Sequence, residues 1–566
     1  MNALSREVYK AFEAVVGERN ISEDIAVRET YRCAAAQSSA HYGPYLHRTP
    51  MPLAVVMPGS TAEVQDILRL CNKYGIHYKA STTFWSSHGF IGGEDGIQLD
   101  MRRMKKIEID AKNKVAIIEP YAIAATVQAE AMKYGLSCNI PGVGCSSSVL
   151  ANTAGWGGVG PSTVSMGNTV ENLLCVEWVL PNGEIAVTGT AGSGEGWWCG
   201  EGPGPSVRAI LRGAGGTCGE MGVCTKMSVK LSPWPGPKEM PTSGVSGIYY
   251  AEGLDNFRYY TFCFPTWDDW SSAVMKMNEH NLLYTGHRQF SFFGRDVKAA
   301  FLRIVTDPDK QLCDIPSLME DPEVQKTNES MKIEYHAVIA GYTKRDLEWK
   351  EEAINAILEE THGWKDEWSM RPEIQKYMLA YFIRLGHKNL NYVHCGAYEG
   401  HFGLHRNNQI LSARLVEPAA AIKREFENAG PWNAKVGGDS AMGSLGGCGG
   451  GGGTMGWEFF ASYDAHDKES VLKTYDYFKG PVQKFMTENC GVTEMGSGQE
   501  ASRRPDGFAR SQEEHNEMFS KIPGTNFFVY QWMVREKFNP NKIGYSYYHT
   551  CDPEYIKKIR EEAAAK

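Results

Sequence analysis

The chain has 566 residues, 42% of them hydrophobic and 22% charged, with a formal net charge of −9 at pH 7. That length exceeds what one hydrophobic core fills, so two or three domains are expected, and the composition is that of a globular protein. The acidic balance argues against a nucleic-acid partner, and no apolar run reaches the length needed to cross a bilayer.

The first fifty residues form a lead-in. Apolar residues at helical spacing over 5–16 predict a surface helix, and no secretory h-region precedes it, so a cytoplasmic location is expected. The 14 cysteines contain no C-x-x-C pair and read as small buried hydrophobes, not as a disulfide framework or cluster ligands. Ser60-Thr61-Ala62-Glu63 is a capping box; Val64, Ile67, Leu68 and Cys71 then share one helical face, and Gly75 stops the helix. A strand from Ile76 feeds the loop Ala80-Ser81-Thr82-Thr83-Phe84-Trp85-Ser86-Ser87-His88-Gly89. The pattern repeats with a strand at Val115–Glu119, a helix over about 122–134 and a stop at Gly135.

The stretch from Pro141 to Gly183 organises the chain. Its density of glycine and serine leaves backbone N–H groups able to approach a polyanion, and it leads into the β-rich run Leu173–Leu180, a buried strand. Neither G-x-G-x-x-G nor G-x-x-x-x-G-K-[ST] is present, so Rossmann and P-loop readings fail. Past Pro233-Trp234-Pro235-Gly236-Pro237, read as a linker, aromatics become frequent. Asp346–Gly363 predicts an amphipathic helix with Trp349, Ala353, Ile354, Ile357 and Leu358 on its apolar side. The glycines of 446–453 predict a flexible loop, either a plain tip between cap strands or a substrate-gating element, and Met455–Tyr463 predicts a strand.

Val55–Val64, Ala80–Gly89, Gly96–Met101, Pro141–Gly183 and Gly219–Lys226, in that order, resemble the FAD-binding domain of the vanillyl-alcohol oxidase / p-cresol methylhydroxylase family. The resemblance covers roughly residues 50–235, and Phe538–Ile543 resembles that family's closing motif. It implies an α+β fold: a PCMH-type FAD-binding domain of two α/β subdomains within 1–236, an α/β cap domain over the flavin at 237–500, and a return to the FAD domain at 501–566. FAD is the implied cofactor. The residues aligned to bind it are Ser81, Thr82, Thr83, Phe84, Trp85 and Gly89; Pro141, Gly142, Ser148, Val149 and Asn152; Met166, Gly167, Asn168 and Val170; and Gly222 and Val223. Phe84-Trp85 departs from the family's glycine-rich loop, which can still work through amides with the side chains turned out.

Four residues are implied for the chemistry. His88 stands where the phenol-oxidising branch has a substrate-binding tyrosine; an imidazole there is a general base, a covalent flavin link, or a plain loop histidine. Asn168 stands where that branch has an aspartate, and can donate a hydrogen bond but not act as a carboxylate base; a turn residue is the plain alternative. His394 and Trp457 lie on the cap segments. His394, His401 and His405 with Glu399 lack a recognised metal spacing, and no metal is assigned. Trp457 falls where the phenol-oxidising branch carries its flavin-attaching histidine, so non-covalent FAD is expected. Ordinary para-alkylphenolates are not the expected substrates, since His88 and Met495-Gly496 replace the residues that hold a phenolate.

The function expected is FAD-dependent hydride removal from a small organic substrate, an alcohol or alkyl group on an aromatic compound. A dehydrogenase passing electrons to another protein is preferred to an oxidase, and a homo-oligomer is expected. A 2-hydroxy-acid dehydrogenase is the alternative, with Arg384, Arg406 or Arg503 as carboxylate clamps. A non-catalytic flavin-binding or structural subunit is the second alternative.

Overall fold

The computed structural model describes residues 3–32, 50–84, 89–139, 145–156, 162–167, 169–202, 208–211, 220–245, 248–287, 298–380, 383, 397–406, 444–448, 452–463, 469, 472, 511–520, 527–545 and 551–565. Of the site residues named above, Trp85, His88, Pro141, Gly142, Asn168 and His394 lie outside the described residues.

The first sheet contains β1 (Ile21–Ser22), β2 (Val55–Val56), β3 (His77–Ser81) and β4 (Gly96–Asp100) in the order β1-β2-β4-β3, parallel except at β1. The helix Thr61–Tyr74 carries the chain from β2 to β3. It buries Val64, Ile67, Leu68 and Cys71, and Gly75 ends it at φ 65. Ser60 caps it by accepting from Glu63 N at 3.2 Å. The Glu63 carboxylate reaches back to Gly59 N at 2.8 Å, one residue beyond a capping box, where Arg103 holds it at 3.0 Å. The predicted lead-in helix, Arg6–Val16, packs on this helix through Phe12 and Val16.

The second sheet is antiparallel throughout. It is built from β5 (Ile107–Asp110), β6 (Val115–Ile118), β8 (Leu173–Val179), β9 (Ile185–Val187) and β10 (Val223–Lys230), in the order β5-β6-β10-β8-β9. The helix Ala124–Met132 follows β6, and a short β7 (Leu136–Ser137) pairs with β11 (Ser232–Pro233). Gly222 enters β10 at φ 112, and a Cβ there would lie 2.2 Å from Val179 O. Strand packing therefore demands this glycine.

Trp234 in the Pro-rich segment is buried. Its ring lies 5.1 Å from Phe257 and 6.2 Å from Tyr284, so the junction is pinned by its aromatic residue. Beyond it come a hairpin, β12 (Thr242–Val245) with β13 (Ile248–Ala251), and an antiparallel sheet. That sheet contains β14 (Phe257–Cys263), β15 (Thr285–His287), β16 (Glu334–Ala340) and β17 (Trp364–Lys365) in the order β15-β16-β14-β17. Helix Trp267–Glu279 joins β14 to β15 and helix Lys344–Glu360 joins β16 to β17, the split β-α-β arrangement of ferredoxin-like units. Phe257, Tyr259, Val338 and Ala340 pack against Phe301 and Leu302 of helix Lys298–Thr306 and against Ile374 and Tyr377 of helix Pro372–Leu379.

Two expectations are corrected here. Helix Lys344–Glu360 starts two residues early, capped by Thr343, and buries Leu347, Ile354, Ile357 and Leu358. Trp349 is 54% exposed, because the seven-residue step from Leu347 to Ile354 sets the buried stripe and Trp349 falls beside it. Several glycines expected in a loop are strand residues: β19 (Ser444–Cys448) pairs with β20 (Gly452–Tyr463), with Gly446 opposite Thr454 and Gly447 opposite Gly453. The ladder satisfies their backbone groups, which their own sequence leaves without a visible partner. β18 (Ala397–Arg406) completes this sheet in the order β18-β20-β19.

The C-terminal segment docks on the first two sheets. Phe538, ending helix Phe527–Phe538, stacks on Trp178 at 5.3 Å. Arg535 and Glu220 are both buried with Nε and Oε1 3.8 Å apart. Gly544 bridges Tyr78, and Tyr545 donates to Asp95. Among the described residues no helix is long and apolar enough to cross a membrane, and no disulfide is formed.

Asp95 reports on this docking. Its carboxyl is lowered to about 2, first by the hydrogen bond with His77 and then by that with Tyr545. A depressed folded value contributes stability above the unfolded value near 4 and loses it as pH falls toward 2. Asp95→Asn should cost under about 1 kcal/mol at neutral pH, since the side chain is largely solvated, and should flatten the stability loss between about pH 4 and pH 2. Urea denaturation across that range checks it.

Candidate functional site

Three segments come together at the C-terminal end of β3 and over the second sheet. The first is the loop leaving β3. Gln98, fully buried, donates through Nε2 to Lys79 O and Gly89 O, each at 2.9 Å, and so closes the stem of the loop. A Cβ on Gly89 would meet Ser81 Oγ at 2.5 Å, so the two ends approach as closely as glycine allows. Phe84 adopts φ 50, and its ring packs against those of Tyr31 and Phe90, at 5.1 and 5.5 Å.

The second segment is 145–156. Ser148 accepts from Ala151 N at 3.0 Å, capping the turn Val149–Ala151, and donates to Pro120 O at 2.6 Å. Asn152 Nδ2 donates back to Ser148 O at 2.8 Å, and a π turn follows at Asn152–Trp156, a form common at functional sites. Thr83 Oγ1 accepts from Ser148 N at 3.4 Å, joining this segment to the first loop.

The third is the one-turn helix Thr163–Met166, ended by Gly167 at φ 74. Asn139 holds both ends of it. Its Nδ2 donates to Gly167 O at 2.8 Å and its Oδ1 accepts from Ser162 Oγ at 2.9 Å. Thr169 Oγ1 donates to Asn152 O at 3.2 Å, tying the third segment to the second. Val170 follows in the turn Thr169–Asn172 that leads into β8, while Gly222 and Val223 lie at the start of β10. Val223 is buried in the core between the first sheet and the helix Thr61–Tyr74.

The donor set suits a dinucleotide. Thr82, Ser147, Ser148, Asn152, Thr153, Ser162 and Thr163 are buried, polar and uncharged, and the described residues of the three segments include no lysine or arginine. A pyrophosphate here would be held by amides and hydroxyls, the chemistry of a backbone nest. The aligned residues that the structure brings together are therefore Ser81, Thr82, Thr83, Phe84, Gly89, Ser148, Val149, Asn152, Met166 and Gly167.

Strands from beyond residue 237 meet the third segment. Ser165 Oγ donates to Tyr284 O at 2.7 Å, beside β15, and both β15 and β19 pack against Thr163–Met166. On β20, Trp457 pairs with Gly403, while His401 and His405 of β18 pair with Phe459 and Met455. Among the described residues no group of three or more metal-ligating side chains assembles. A surface groove of about 460 Å³ lined by Glu252, Arg258, Gln375 and Lys376 shares no residue with the three segments.

A comparison with known proteins bears on this site. The FAD binding domain family matches residues 52–189, which carry all three segments. The chain carries an FAD-binding domain. An FAD-linked oxidoreductase of Mycobacterium tuberculosis is 28% identical over 232 residues, 40% of this chain and 46% of the relative. The D-lactate dehydrogenase of Archaeoglobus fulgidus is 28% identical over 182 residues, 32% of this chain and 38% of that protein. These matches span less than half the length of the curated relatives. A crystal structure of p-cresol methylhydroxylase with substrate bound shares the fold at TM-score 0.69 and 16% identity, over 97% of both chains. The fold likeness thus extends beyond residues 52–189 to the sheets that follow.

Two features escape the sequence reading. Asn139 is one. The other is a buried group on the cap sheet: Tyr259 OH and His336 Nδ1 share a hydrogen bond of 2.6 Å, Thr261 Oγ1 lies 2.8 Å from Tyr259 OH, and Glu334 Oε1 lies 3.9 Å from His336 Nε2. The visible signal was Glu334 and His336 two apart in an otherwise apolar strand, hence on one face.

Asn139→Ala removes the two buried hydrogen bonds that hold the ends of the turn. A loss of about 2–4 kcal/mol is expected, together with a lower flavin content per polypeptide. Chemical denaturation and the flavin-to-protein absorbance ratio check both.

Proposed function

We propose that this protein is an FAD-dependent oxidoreductase that removes a hydride from a small organic substrate bound between the Thr163–Gly167 turn and the cap, with an alcohol or alkyl group on an aromatic compound preferred. The observation that carries this reading is the direct seating of the cap strands β15 and β19 on that turn, within the FAD-binding domain. When bound, FAD supplies the two-electron acceptor. The chain's own residues do the rest. Its amides and hydroxyls hold the pyrophosphate, the cap strands exclude water, and an imidazole receives the proton that leaves the substrate hydroxyl. His88 is the proposed acceptor of that proton, with His394 as the cap-side candidate. Asn168 is proposed to donate a hydrogen bond at the reacting face, and Trp457 to wall the pocket.

A dehydrogenase is proposed in preference to an oxidase, with another protein or a diffusible carrier taking the electrons. FAD is proposed to be held without a covalent bond. A second reading, oxidation of a 2-hydroxy acid, is supported by the likeness to the archaeal D-lactate dehydrogenase. It needs a cation for the substrate carboxylate, for which Arg384, Arg406 and Arg503 are the candidates.

Anaerobic mixing separates the readings. Bleaching of the flavin absorbance by aromatic alcohols and not by D-2-hydroxy acids is the expected result; the reverse supports the second reading. A colourless protein, or a flavin that neither class reduces, supports a non-catalytic role. His88→Ala should slow reduction about 10²-fold, the scale of losing a general base. Reoxidation by dissolved oxygen should be slower than turnover; equal rates would make the enzyme an oxidase.

A further inference from the structure

The residues that match the FAD-binding family begin at 52, yet the chain before them reaches the first loop of the site. Helix Ile25–Thr30 is capped by Asp24, and Arg28, buried at its C-terminal end, donates through Nε to Pro52 O at 2.5 Å. That bond fixes the arm against the entrance of β2. Tyr31 follows, and its hydroxyl donates to Asp100 Oδ2 at 2.7 Å. Asp100, fully buried at the end of β4, also accepts from Arg102 Nε at 2.6 Å and from Arg102 N at 3.0 Å. Asp100 lies directly opposite Ser81 in the β3–β4 register. The arm is therefore anchored at the strand position from which the first loop departs.

The Tyr31 ring then meets the loop itself. It packs edge-on against Phe84, with centroids 5.1 Å apart and planes at 80°, and Phe90 flanks Phe84 from within the domain at 5.5 Å. Phe84 holds φ 50, a conformation that a bulky residue adopts only when its surroundings impose it. Glycine would adopt it freely; here two aromatic rings grip the side chain instead. Burial and the neighbouring Asp100 carboxylate hold the Tyr31 phenol well above its ordinary pKa, so it stays a donor throughout the working pH range.

We propose that Tyr31 is a positioning residue for the cofactor: anchored on Asp100, it clamps Phe84 and so holds the Ser81–Phe84 loop in the shape that presents its amides to the FAD pyrophosphate. The proposal rests on the FAD-binding reading of the domain and adds to it a part supplied by the N-terminal arm. Tyr31 itself need not touch the cofactor. Its effect passes through Phe84, so the two residues act as one unit.

The test uses the full chain stripped of flavin, with FAD affinity read by flavin fluorescence and the melting temperature measured without FAD. Tyr31→Phe keeps the ring and should weaken FAD binding roughly 5-fold; Tyr31→Ala should weaken it roughly 30-fold. Phe84→Gly should also weaken binding, and in the Tyr31→Ala background it should add less than a further 2-fold or so, because both changes break the same clamp. Tyr31→Phe without FAD should melt within about 2 °C of the parent, so it carries the test if Tyr31→Ala fails to fold. If the flavin resists stripping, flavin absorbance per polypeptide after FAD-limited expression gives the same ranking. Unchanged affinity in the Tyr31 variants, fully additive effects of Tyr31→Ala and Phe84→Gly, or a Tyr31→Phe melting loss without FAD well beyond about 2 °C overturns the proposal. A parent chain that binds no FAD overturns instead the cofactor reading on which it rests.

Discussion

The carboxamide of Asn139 uses its donor and its acceptor at once, on Gly167 O and on Ser162 Oγ, inside a region closed to solvent. Both ends of the turn Thr163–Met166 are thereby fixed to the strand-like segment after helix Ala124–Met132. A buried amide left half-paired costs more than the net worth of the bonds it makes, so this arrangement tolerates little movement. The turn is also where the strands β15 and β19 rest, with Ser165 donating to Tyr284 O. Asn139 thereby fixes the surface on which those strands sit, alongside the hydrogen bond of Ser137 with Tyr284 and the buried ring of Trp234.

Around that point the protein builds a polar but uncharged wall. Hydroxyls and amides of segments 81–84 and 145–156 are paired with one another and with backbone, as in Thr83 with Ser148 and Asn152 with Ser148. Each loop is closed at its base by a buried side chain from a strand or turn, Gln98 for the first and Ser148 for the second. Such loops keep their shape with little help from the ligand, which lowers the ordering cost of binding a long, flexible dinucleotide. The C-terminal segment reinforces the scaffold behind them, with Phe538 on Trp178 and Tyr545 on Asp95.

Local pattern was enough for the elements whose determinants are local. The helix Thr61–Tyr74 carried its cap, its buried stripe and its stop in consecutive residues, and the strand Leu173–Val179 its β-rich run between turns. The segment from Pro141 to Gly183 drew notice for the same reason, since glycine and serine density is a short-range signal. What escaped depends on partners far along the chain. Asn139 meets Gly167 across 28 residues, Tyr31 meets Asp100 across 69, and Tyr259 meets His336 across 77. The glycines of β19 and β20 looked like a loop because only their pairing makes them a sheet, and Trp349 looked buried because it flanks the stripe that Ile354, Ile357 and Leu358 bury.

The central claim is that FAD lies against three segments of the first domain, under the cap. Hydrogen–deuterium exchange of the flavin-free chain, with and without added FAD, tests it most directly. Peptides covering 78–84, 145–156 and 163–170 should exchange more slowly when FAD is present, while the helix Lys344–Glu360 on the cap should be unchanged. Exchange that slows only in the cap, or in none of the three segments, would contradict it.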